Sequence, residues 1–156
     1  MNEINKALSF EKVKNYIITE FDGIVPQKTW GELSFFYNLD NKLPRGVYFC
    51  TLKEKDGEND KASHLDRDGI FRLSFGLPVE EFITRFGPKP PRPRKGCAIQ
   101  GVWNFTEIDT LIPHPIYGWM GWVAVLNPSK KTFDQCKPLL QLAYNRSTAG
   151  YLKRIR

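Results

Sequence analysis

Phe10, Val13, Ile17 and Phe21 recur three and four positions apart, the spacing that lines apolar side chains along one stripe of a helix. Ser9 stands where an N-cap belongs and Gly23 where a helix stops. The pattern predicts an amphipathic helix over Ser9 to Phe21, with Lys12, Lys14 and Glu20 outward. The period then drops to two. Trp30 to Tyr37 sets Leu33, Phe35 and Tyr37 against Glu32, Ser34 and Phe36, and Gly46 to Lys53 is rich in β-branched and aromatic residues. NLDNKLPR between them is full of turn formers, so the two strands are expected to pair as an antiparallel hairpin with a long connection. After the polar stretch Glu54 to Asp68, Ile70 to Gly76 alternates again. Phe71, Leu73 and Phe75 are expected to face inward, Arg72 and Ser74 outward.

Pro78 suits a first helical turn, Phe82, Ile83 and Phe86 supply an apolar stripe, and Gly87 ends it. Pro88 to Gly96 (PKPPRPRKG) can be neither helix nor central strand, so an exposed, extended loop is expected. Trp119 to Leu126 is apolar on both faces, as a central strand covered on both sides should be. A last helix is predicted from an N-cap at Thr132, with Gln135 three residues on, to about Tyr144, kinked by Pro138 unless its regular part starts only there. The whole, residues 1–156, reads as a single-domain α+β sandwich: a mostly antiparallel sheet with the terminal helices packed on one face, then a basic C-terminal tail from about residue 146.

Charge changes the picture in one respect. Between Phe82 and Thr106 there is no acidic residue but five basic ones, Arg85, Lys89, Arg92, Arg94 and Lys95. Gln135 to Arg156 repeats this with Lys137, Arg146, Lys153, Arg154 and Arg156. The rest of the chain holds 13 basic against 17 acidic residues, so the formal +6 is confined to two segments. An anionic partner, nucleic acid or another polyanion, is the hypothesis this motivates. Its contact residues would be Lys89, Arg92, Arg94, Lys95, Lys153, Arg154 and Arg156. The three cysteines, Cys50, Cys97 and Cys136, are far apart and odd in number, which fits reduced thiols in a cytoplasm. No apolar run reaches 18 residues and Met1 to Phe10 lacks a signal-peptide core, so neither membrane nor export is expected.

Candidate chemistry is sparse. Asp56 to Asp60 spaces oxygens like a calcium loop, but Lys61 and Arg67 stand where Gly and Glu are required. His64 lacks a nucleophile elbow, and Cys50, Cys97, His64 and His114 lack metal-site spacing. Gly118-Trp119-Met120-Gly121 is not a phosphate loop, and Trp103, Trp119 and Trp122 read as core rather than a stacking platform. No catalytic residue, metal or cofactor is assigned.

Two stretches carry a resemblance: DKASHLDRDGIFRLSFG, Asp60 to Gly76, and HPIYGWMGWVAVLNPSKKTFDQCKPLL, His114 to Leu140. With Phe35 to Tyr37 they resemble a bacterial domain-of-unknown-function family with HP-YGWMGWV and LDR-G-FRL motifs. That resemblance transfers no catalytic residue. More distantly, the layout is similar to the MmcQ/YjbR-like proteins of CyaY-like fold, which implies DNA contact through a double-wing arrangement. The long Glu54 to Asp68 insertion and the Pro88 to Gly96 loop depart from that layout.

Two readings follow. The first is a non-catalytic binding or interaction module, contacting nucleic acid through the basic segments. The second is a small-ligand protein or enzyme with a pocket around His64, Arg72, His114, Tyr117 and Trp119. Salt-dependent retention on phosphate favours the first; a deep pocket with converging polar groups near His114 favours the second. Oligomeric state is left open.

Overall fold

The computed structural model describes residues 5–29 and 31–156. Helix α1 (Phe10–Glu20) starts at the predicted cap, where the Ser9 hydroxyl accepts from the Lys12 amide. Strands β1 (Ile24–Thr29), β2 (Glu32–Tyr37), β3 (Val47–Lys53) and β4 (Arg72–Gly76) form an antiparallel meander. Helix α2 (Val79–Phe86) and a long irregular segment lead to β5 (Ile112–Pro113), β6 (Trp122–Leu126) and the closing helix α3 (Lys130–Arg154). Among the described residues the sheet has six strands in the order β1-β2-β3-β4-β6-β5, every pair antiparallel. Trp30, placed by the sequence at the start of β2, lies outside the described residues.

Alternation gives the sheet two chemically different faces. On one, Phe35, Cys50, Leu52, Leu73, Phe75, Val123 and Val125 are fully buried. They pack against Val13, Ile17 and Phe21 of α1 and against Phe133, Leu139, Leu140 and Ala143 of α3. Aromatic pairs bind the two helices to each other and to the sheet, with Tyr16 edge-on to Phe133 at 5.1 Å and Phe21 edge-on to Phe49 at 4.8 Å. The terminal helices therefore share one face, as the pattern required. No helix among the described residues is long and apolar enough to cross a membrane.

Three expectations change. Helix α3 is capped by Ser129, whose hydroxyl accepts from the Thr132 amide, so Thr132 lies inside the first turn. It also runs on past Tyr144, because Ala143, Ser147 and Tyr151 continue the buried stripe. The segment read as a tail from about 146 is thus helical through Arg154, and Pro138 lies within it on the exposed side. Arg72 and Ser74, expected outward, are almost completely buried. Residues 54–71 and 87–121 cover the second face, which alternation alone assigns to solvent.

Pairing of β2 with β3 slips by one residue. Phe35 faces Cys50, whereas Phe36 faces Tyr48. Phe49 is the extra residue of this bulge and joins the apolar core, while Tyr48 is turned to the opposite face. Strand β6 lies between β4 and β5 with every residue buried. Replacing Val123 with Ala is expected to lower unfolding free energy by about 1 to 2 kcal/mol, read from urea denaturation.

Candidate functional site

The second face is ordered in rows that run across the strands. Glu32, Lys53 and Arg72 pair in register as a charged row. Ser34, Thr51, Ser74 and Ala124 form a row of small side chains, three with hydroxyls. Phe36 and Tyr48 begin an aromatic row that Trp122 completes opposite Gly76. A Cβ on Gly76 would stand 2.9 Å from the Trp122 indole nitrogen, so glycine leaves the space the indole fills.

Arg72 sits in the charged row beside Lys53, a like charge, and both are buried. Its counter-charge comes from the covering loop. Arg72 Nη1 donates to Asp60 Oδ1 at 3.0 Å and to Ser63 Oγ at 2.9 Å, and Nη2 donates to the other Asp60 oxygen. Burial raises the Asp60 carboxyl pKa, but the Arg72 hydrogen bonds and charge outweigh it and hold the group below its usual range. Among the described residues, Arg72 Nε and the Ser74 hydroxyl have no hydrogen-bond partner.

His114 roofs this face. Its backbone continues the β5 ladder, donating to the Trp122 carbonyl at 2.9 Å. Its ring Nδ1 accepts from the amides of Ile116 at 3.0 Å and Tyr117 at 3.1 Å, which folds residues 114–117 into a tight turn. With Nδ1 held as an acceptor, the ring proton belongs on Nε2. Burial, then the nearby Arg72 charge, push the pKa well below the usual imidazole value. His114 is therefore a neutral, fixed N–H donor rather than a proton acceptor.

Between roof and sheet lies a cleft of about 220 Å³. Tyr48, Tyr117, Met120 and Trp122 give it an aromatic and apolar lining, and Glu32, Thr51 and His114 its polar groups. Gly121, with φ of +92°, permits the reversal from the 3-10 turn Gly118–Met120 into β6 and so sets Trp122 beneath that turn. Tyr48 and Trp122 stand nearly perpendicular, 81° apart with centroids separated by 6.4 Å. The Tyr117 phenol is pushed up by burial and then by the Asp60 and Glu32 charges, so it remains protonated at neutral pH. A wider depression of about 770 Å³ runs past Lys28, Glu54 and Asp68, but it is shallow.

Of the pocket residues named from sequence, His114 and Tyr117 line the cleft, and Arg72 is buried on the same sheet face without reaching it. His64 is exposed, with a left-handed φ of +51°, and does not line the cleft. Trp119 lies outside it as well, carrying the Arg92 guanidinium 4.8 Å above its ring. Glu32, Tyr48, Thr51, Asp60, Ser63, Met120 and Trp122 were not in that set. The polar positions Glu32, Thr51 and Arg72 on adjoining strands were the available signal. Among the described residues no three His, Cys, Asp or Glu side chains gather as a metal shell.

The basic segments occupy different layers. Lys153 and Arg154 close α3 under the apolar face, where Arg154 donates to the Gly46 carbonyl. Residues 88–96 have no strand pairing and lie over the other face, with Gly96 beside Asn59 and Arg92 on Trp119. Lys89, Arg94, Lys95 and Arg156 are exposed and form no ion pair among the described residues.

Fold and site define a small α+β domain with one polar sheet face enclosed around a cleft. The chain belongs to DUF6194, a family of unknown function, whose profile matches residues 8–156. No curated protein and no solved structure matches it.

Asp60→Asn is expected to destabilise the fold by about 3 to 5 kcal/mol in chemical denaturation, since it strands the buried Arg72 charge. In the native chain the Asp60 contribution is present above the ordinary carboxylate pKa and is lost as pH falls through the lowered one. His114 acts in a milder window. Below about pH 6.5 the unfolded chain takes up a proton that the folded ring refuses, so stability falls by about 1.4 kcal/mol per pH unit. His114→Asn keeps an acceptor for the two amides and should remove that component of the slope between about pH 6.5 and 5.

Proposed function

We propose that this protein is a non-catalytic binding module that holds a small, largely apolar molecule in the cleft beneath His114. The observation that carries this reading is the pairing of a buried, neutral N–H donor with aromatic side chains around one open cleft. Such a site is mostly apolar with a few convergent polar groups, the usual composition of ligand pockets. Its volume lies below the roughly 300 Å³ where drug-sized sites begin, so the ligand is a small metabolite. Chemistry has little support. His114 has no free basic nitrogen, and the Asp60 carboxylate is committed to Arg72.

Contact with nucleic acid is the weaker reading, because the sheet stands between α3 and residues 88–96. A distant MmcQ/YjbR-like relationship is compatible with a binding role of either kind. A cytoplasmic setting is supported by three free thiols, with Cys50 and Cys136 buried and Cys97 exposed.

An NMR fragment screen on the full chain tests the reading. Binders are expected to shift the resonances of Thr51, His114, Tyr117 and Trp122 together. A screen that gives no binders, or binders only elsewhere, overturns it.

A further inference from the structure

We infer that the cleft selects an organic cation, a methylated ammonium head on a small molecule that also carries a hydroxyl or carbonyl oxygen. The inference rests on the ligand-cleft reading and adds the charge of the ligand. Three aromatic rings, Tyr48, Tyr117 and Trp122, border one space, and Tyr48 and Trp122 meet at nearly a right angle. Rings that enclose a space present several negative π faces to its centre, which attracts an ammonium that has lost part of its water. Met120 adds a soft, polarisable wall.

Glu32 supplies the second, independent observation. It lines the cleft, and its carboxylate has neither a hydrogen bond nor an ion pair among the described residues. Its register partner is Lys53, but the Lys53 ammonium is turned toward Gly57 in the covering loop. A carboxylate left without a counter-charge beside aromatic walls is complementary to a cation and repels an anion. Methyl groups suit the site better than a bare ammonium, because the walls offer few acceptors for N–H donors. Thr51 and the His114 Nε2–H offer donors to a ligand oxygen, which orients the head toward the rings.

Isothermal titration of the full chain with choline and with dimethylbutanol, its uncharged carbon isostere, tests the charge directly. Choline is expected to bind at least about tenfold more tightly. Glu32→Gln should lower choline affinity about tenfold while leaving the alcohol unchanged. Tyr48→Leu, at a half-exposed position whose loss leaves the apolar core intact, should weaken choline more than the alcohol. Thermal melts of both variants should match the parent chain. Equal affinity for choline and the alcohol overturns the cation assignment and leaves the ligand cleft standing. Absence of choline binding also overturns it, and the fragment screen then decides separately whether the cleft binds any small molecule.

Discussion

A guanidinium without water costs several kcal/mol unless its hydrogens meet acceptors and its charge meets a counter-charge. For Arg72 both come from outside the sheet, from Asp60 and Ser63 on the segment between β3 and β4. That segment therefore has to fold back across the second face instead of looping into solvent. Once it is there, the face is dry enough for Lys53 and Ser74 to be buried as well, and for His114 to stay neutral under the Arg72 charge. The covered face and the fixed N–H donor of His114 both depend on the same buried ion pair.

Much of the apolar half was legible in the sequence, because helical and strand periods are local. Ser9, Val13 and Ile17 declared α1, and Phe71, Leu73 and Phe75 declared the inner side of β4. β1 escaped notice for a physical reason. It is an edge strand whose residues after Ile24 are exposed, so it needs no alternation and tolerates Pro26. The full length of α3 is hidden because Ser147, Thr148 and Gly150 favour helix weakly and break the apolar stripe. Burial of Tyr151, whose ring stands edge-on to Tyr37 at 5.0 Å, carries the helix onward. Pro138 is tolerated on the exposed side, where the carbonyl its ring leaves unpaired stays within reach of water.

The site was only half legible. Arg72, His114 and Tyr117 stand in distinctive motifs and could be named from the chain. Glu32, Tyr48 and Thr51 look like ordinary outward positions of alternating strands. Their convergence depends on strand register and on what covers the face, and neither is local information. Arg72 and Ser74 were read outward by the same default, since alternation says which residues share a face but not whether that face is wet.

The bulge at Phe49 bears on how such a domain can vary over time. At the bulge Phe49 and Cys50 both face the core, while Tyr48 before them and Thr51 after them both face the cleft. The surplus residue therefore adds a ring to the interior without disturbing the cleft side of β3. Substitutions at Tyr48 can change what the cleft accepts without touching the interior. Substitutions at Phe49 act on the other side, on the interior alone, so one short stretch of β3 serves core and cleft through separate side chains.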